Sequence, residues 1–323
     1  MFMIPHQKKR RRITRSSQSM GYHKQMKEFK VDVNPMLKKL ELVSKKGISG
    51  FLSGEFRSVF KGSGLEFHGY RNYNAAEDDA KNIDWKASMR TRYLVVKELV
   101  EERNNNVVFL VDVSSSMSFG SVDRLKNEYV IEMFASMAYS LLSGGDSVGL
   151  ALFTDHIITL LPPNIGNKQF YTMLKTITNP ALYEGPFDLE KALHDFNAMM
   201  TRPSIVILMS DFIGLKGGWY DKLRLVAAKH ELIVFIVKDP RDVMLPEEVG
   251  QVFVEDPYTH ETLLIDTKII KNDYEKLAHD QDQTLIRMLK DLQVEYQFLT
   301  TNQPFSNTIF SFFKQRALRW ASG

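Results

Sequence analysis

The run Val107-Val108-Phe109-Leu110-Val111 restricts the fold of this chain more than any other stretch. Its five consecutive apolar residues, mostly β-branched or aromatic, lack the spacing of an amphipathic helix. The run therefore reads as a strand buried on both faces, the kind found in the middle of a parallel sheet. It stops at Asp112, with Ser114, Ser115 and Ser116 close behind. In an open α/β sheet, ligands gather beyond the carboxyl ends of the central strands. Asp112, Ser114 and Ser116 stand at alternating positions and can turn three oxygens toward one point there. A hard cation such as Mg²⁺ takes an octahedron of oxygens, some of them water. Ser and Asp are also preferred helix N-caps, and an amphipathic helix is expected to begin nearby, close to Asp123. Both readings stand at this point.

The rest of the chain places this strand in a larger sheet. From Val107 onward, strands are expected at 107–111, 148–153, 157–161, 205–209, 232–237 and 294–298, with helices between them. This alternation predicts a doubly wound, mainly parallel α/β sheet. Only Thr154-Asp155-His156 separates the second strand from the third, so 157–161 is expected as an antiparallel edge strand, ended by Pro162-Pro163. The strand Ile205–Met209 ends in Ser210-Asp211. A second buried strand closing on an acid places Asp211 beside Asp112 if the two strands are neighbours. Two carboxylates and two hydroxyls then surround one crevice, a donor set suited to Mg²⁺, Mn²⁺ or Ca²⁺.

Upstream, residues 31–106 read as a mixed-charge, aromatic subdomain packed on the sheet and held by ion pairs, opening with a short helix from Asn34 to Val43. Residues 1–30 carry nine Lys or Arg against one Glu, a charge of +8, which leaves −5 for the remainder of a chain with net charge +3. This basic tail has little to bury and is expected to be disordered. The divisions are thus 1–30, 31–106 and 107–323. The sequence has no Cys, which excludes disulfides and thiolate chemistry and suits a reducing cytoplasm, the location expected for it. No apolar run approaches the roughly 20 residues of a membrane-spanning helix.

The combination of Asp112-x-Ser114-x-Ser116 after one strand with Asp211 after another resembles the von Willebrand factor type A fold, where such residues form the metal-ion-dependent adhesion site. Gly62-x-Gly64-x-Glu66-Phe67, Arg71-x-Tyr73, Asp78-Asp79, Ile83-Asp84-Trp85-Lys86, Arg90-Thr91, Val96-Lys97-Glu98 and Glu101-Glu102 narrow the resemblance. Together they are similar to the bacterial and archaeal family called domain of unknown function 58, over roughly residues 45–318. The resemblance implies a metal held by Asp112, Ser114, Ser116 and Asp211. It also implies work alongside a MoxR-type AAA+ ATPase, or that ATPase's client, in the maturation or assembly of other proteins. The family's Gly-Gly-Thr-Asp-Leu is here Gly185-Pro186-Phe187-Asp188-Leu189, so Phe187 replaces the threonine that completes the metal site. Phe187 is expected at the rim as an apolar partner anchor. Asp188 is expected there too, either as a supporting acid or as the N-cap of its helix.

The expected function is non-enzymatic, metal-assisted protein binding. The alternatives are a hydrolase or phosphatase working in the Asp112 crevice, and nucleic-acid or membrane-surface binding through the tail. A haloacid-dehalogenase-type phosphatase wants a second Asp where Ser114 stands. A serine hydrolase wants glycines flanking its nucleophile, and Ser115 has none.

Overall fold

The computed structural model describes residues 66–74, 78–100, 105–246 and 250–321. The expectations for the basic tail, for the Asn34–Val43 helix and for Gly62-x-Gly64 lie outside these residues.

Two strands, β1 (Glu66–Asn72) and β2 (Val95–Val100), pair antiparallel around helix α1 (Trp85–Thr91). The Asp84 side chain caps α1 by accepting the Ala87 N–H at 3.0 Å, and it pairs with Lys97 at 3.5 Å. The Arg71 guanidinium forks onto the Asp78 carboxylate. These contacts lower the Asp84 and Asp78 carboxyls from their ordinary value, the first chiefly through the Ala87 backbone bond and the second chiefly through Arg71.

The main sheet has six strands: β3 (Asn106–Asp112), β4 (Ser147–Phe153), β5 (Ile157–Asn164), β6 (Ile205–Ser210), β7 (Glu231–Lys238) and β10 (Glu295–Thr300). Their spatial order is β10-β7-β6-β3-β4-β5, and β5 alone runs antiparallel to its neighbour. A mostly parallel central sheet with an antiparallel edge is thus what the sequence pattern implied. The prolines do not end β5, however. The strand runs through Pro162 and Pro163 to Asn164, because an edge strand leaves one row of N–H groups unpaired and tolerates residues that lack them. The register slips there between Val148 and Leu150. A Cβ on the intervening Gly149 would come within 2.8 Å of the Leu161 carbonyl oxygen, so the bulge needs glycine at this position.

Helices cover both faces, as a strand apolar on both sides requires. Val107, Phe109 and Val111 pack with α2 (Lys126–Ser143), α3 (Asn167–Ile177) and α8 (Phe305–Ala321). Phe109 meets Phe134 edge to face at 5.0 Å. Val108 and Leu110 pack with α4 (Leu189–Met199), α5 (Trp219–Lys229) and α7 (Thr267–Asp291). A short helix α6 (Pro240–Val243) follows β7. After it, β8 (Gln251–Glu255) and β9 (Thr262–Asp266) form a separate hairpin. No helix among the described residues is long and apolar enough to cross a membrane.

Candidate functional site at the sheet switch point

From β3 the chain builds outward to β4 and β5, then returns to β6 on the other side of β3. The carboxyl ends of β3 and β6 therefore flank the switch point, where α/β sheets open a crevice. Asp112 closes β3, and Ser210-Asp211 closes β6.

The four expected residues come together here, and all are sealed. Asp112, Ser114 and Asp211 are 0% exposed and Ser116 is 1% exposed. Asp112 Oδ1 accepts the Ser114 N–H at 2.8 Å, and Oδ2 accepts the Ser210 hydroxyl at 2.5 Å. The Ser114 and Ser116 hydroxyls lie 3.2 Å apart. Ser115 faces away and exchanges hydrogen bonds with Gly185, donating to its carbonyl at 3.1 Å and accepting its N–H at 3.0 Å. After Asp211, Phe212 takes a left-handed backbone (φ 56). That turn brings the Phe212 N–H to Ser210 Oγ and the Ile213 N–H to Asp211 Oδ1, at 3.0 and 2.9 Å. A bulky residue at positive φ is costly, and such strain collects at sites that the surrounding structure holds in place.

Sequence reasoning missed three residues of the site. Lys126, the first residue of α2, places its Nζ 2.6 Å from Asp211 Oδ2 and 3.0 Å from Asp242 Oδ2, with 1% of the residue exposed. Its signal was present in the sequence: Lys126 falls on the same helical stripe as Val130, Met133 and Met137. A charge on an apolar stripe needs a buried partner. Asp242 arrives from α6, where its Oδ2 also accepts the Asp239 N–H at 2.8 Å. Tyr258, from the turn of the β8–β9 hairpin, donates its hydroxyl to the Ile213 carbonyl at 2.9 Å, just past Asp211. Nothing local marked Tyr258.

The electrostatics follow from burial. Loss of solvent, reinforced by the Asp211 charge, pushes the Asp112 carboxyl up to about 7 against the hydrogen bonds from Ser210 and Ser114. For Lys126, burial lowers proton affinity, but the charges of Asp211 and Asp242 outweigh it and the net shift is upward. Burial raises Asp242 despite its bond to Lys126, and burial also raises Tyr258.

Phe187 is corrected from its expected place. It is 3% exposed, inside the core on the α4 side, with its ring 6.2 Å from Phe153. A large aromatic gains more from burial than from the rim. It is therefore not available as a surface anchor. Asp188 is the N-cap of α4: it accepts the Lys191 N–H at 3.2 Å and pairs with the Lys191 ammonium.

For a divalent cation, the donor set can be judged from its bonds. A metal needs oxygens free to converge. Both oxygens of Asp211 are engaged within the chain, one of them by an ammonium, and both oxygens of Asp112 accept protons from neighbours. Phe187 offers no oxygen. The Ser114 and Ser116 hydroxyls are bonded to one another and an ammonium holds Asp211, so the set as arranged does not fit Mg²⁺. Among the described residues, no three His, Cys, Asp or Glu side chains are grouped closely enough to hold a metal ion.

The architecture defines an α/β protein with a mostly parallel sheet and a polar cluster at its switch point. The chain belongs to the family described as protein of unknown function DUF58, whose model matches residues 69–284. It is 31% identical over 224 residues to the uncharacterized protein Rv1480 of Mycobacterium tuberculosis, covering 68% of this chain and 69% of that protein. Among solved structures it is similar to conserved hypothetical protein BatB of Bacteroides thetaiotaomicron, with 16% identity and a TM-score of 0.45, covering 66% of this chain and 98% of that one. It is also similar to an aerotolerance-related membrane protein of Bacteroides fragilis, with 16% identity and a TM-score of 0.44, covering 67% and 99%. The cytoplasmic location expected from the sequence is withdrawn. Missing cysteines exclude disulfides, but they do not name a compartment.

Proposed function

We propose that this chain is a protein-binding module of the von Willebrand factor type A-like class, acting by docking and not by turnover, in company with a MoxR-type AAA+ ATPase. The observation that carries the first part is that the switch-point side chains are committed to one another. Ser115 is bonded to Gly185, Ser210 to Asp112, and Asp211 to Lys126. Covalent catalysis needs a nucleophile beside a base and open to substrate. Ser210 and Asp112 are the nearest approach to such a pair, and both are 0% exposed. Among the described residues, no hydrogen bond joins these hydroxyls to a histidine. A polar cluster of this kind is suited to another task, fixing the shapes of the loops after β3 and β6 so that they present a defined surface. The ATPase partner is supported by the family resemblance of the sequence.

The test is co-purification of the full chain with a MoxR-type ATPase from the same genome, together with ATPase rates with and without the chain. A retained complex or an altered rate is the expected result. Phosphatase or esterase activity of the chain alone, abolished by Asp112→Ala, would overturn the reading.

A further inference from the structure

Lys126 decides what the crevice can hold. It enters from the start of α2 and joins three elements: α2 itself, the end of β6 through Asp211 at 2.6 Å, and α6 through Asp242 at 3.0 Å. The Lys126 and Asp211 side chains are 1% and 0% exposed, so water contributes nothing to screening their charges. The ammonium also stands 5.6 Å from the centre of the Phe119 ring, whose face is attractive to a cation. The Tyr258 side chain also enters from the β8–β9 turn, its hydroxyl tied to the Ile213 carbonyl at 2.9 Å just after Asp211.

We propose that Lys126 is the resident cation of this crevice: its ammonium holds the place a divalent ion would take beside Asp211, and the site works without Mg²⁺, Mn²⁺ or Ca²⁺. A lysine ammonium is a compact point charge. A second cation within bonding distance of Asp211 would lie a few ångströms from Nζ and be repelled by it across a medium of low dielectric. Moving Lys126 aside to admit that ion would leave an ammonium buried without partners, which proteins avoid. This inference concerns the charge of the site and holds whether or not the docking reading is right.

The experiment is thermal unfolding of the full chain with EDTA and with millimolar Mg²⁺, Mn²⁺ or Ca²⁺, on the wild type and on Lys126→Met. The wild-type midpoint is expected to be unmoved by any of the ions. Lys126→Met frees Asp211 and Asp242, and its midpoint should rise by several degrees with Mg²⁺ or Mn²⁺. A wild-type midpoint that rises with an ion and loses that rise in Asp112→Asn would overturn the proposal. So would a Lys126→Met protein as silent as the wild type. If that variant does not fold, Mn²⁺ electron paramagnetic resonance on the wild type decides. A spectrum of free aquo ion alone supports the proposal, and a bound fraction abolished by Asp112→Asn refutes it.

Discussion

Replacing Asp112 with Asn should stabilise this protein as pH rises. The Asp112 carboxyl is buried, hydrogen-bonded to Ser114 and Ser210, and pushed from 3.8 up to about 7. A group whose folded pKa lies above its unfolded value binds a proton more tightly in the folded state. Its cost is absent below about pH 4, grows as pH climbs toward 7, and levels off above that. Three units at 1.36 kcal/mol each set the full cost at about 4 kcal/mol. Between pH 5 and pH 8 the part that develops is about 2–3 kcal/mol. Asn keeps the shape but cannot ionise, and its single amide oxygen can accept only one of the two hydrogen bonds that Asp112 receives; that constant cost cancels when two pH values are compared. The assay is urea unfolding followed by tryptophan fluorescence, in EDTA, at intervals from pH 5 to pH 8. The stability of Asp112→Asn relative to wild type should increase by that amount across the range. Parallel curves, or a variant that falls behind at high pH, would refute the reasoning that Asp112 is a buried carboxyl with too little compensation.

Other substitutions test the remaining structure. Phe187→Thr restores the residue that the family resemblance leads one to expect, but it removes an aromatic ring from the core and should cost about 3 kcal/mol by urea unfolding, with no gain in Mg²⁺ response. Asp188→Ala should cost about 1 kcal/mol, the usual value of an N-cap, and leave partner binding unchanged. Arg316 on α8 is 1% exposed and ion-paired to Glu231 on β7 and Glu295 on β10. Arg316→Met removes the cation these acids share, but Glu231 stays partly in water and Glu295 keeps Arg319, so the cost should be about 1–2 kcal/mol by denaturant unfolding. A cost below about 1 kcal/mol would show that α8 is held by its apolar face alone.

Much of the fold was legible in the chain because its causes are local. A strand in the middle of a parallel sheet must be apolar on both faces, and Val107–Val111, Ile205–Met209 and Leu232–Val237 announce that without reference to any neighbour. The three-residue link Thr154–His156 likewise allows only an antiparallel return to β5. The meeting of Asp112 with Asp211 could be read from two strands ending alike, because sheet topology brings such ends to one edge. The contents of the crevice could not be read in this way. Lys126 finds Asp211 across 85 positions and Asp242 across 116. Tyr258 reaches Ile213 across 45, from a hairpin whose own residues give no hint of it. Phe187 looked like a residue at a rim because it stands where the family resemblance puts the threonine of the metal site, and only its packing against Phe153 of β4 draws it into the core. Backbone periodicity is a property of a segment. The partner of a buried charge, by contrast, is fixed by which distant segment closes over it, and tertiary structure alone made that choice here.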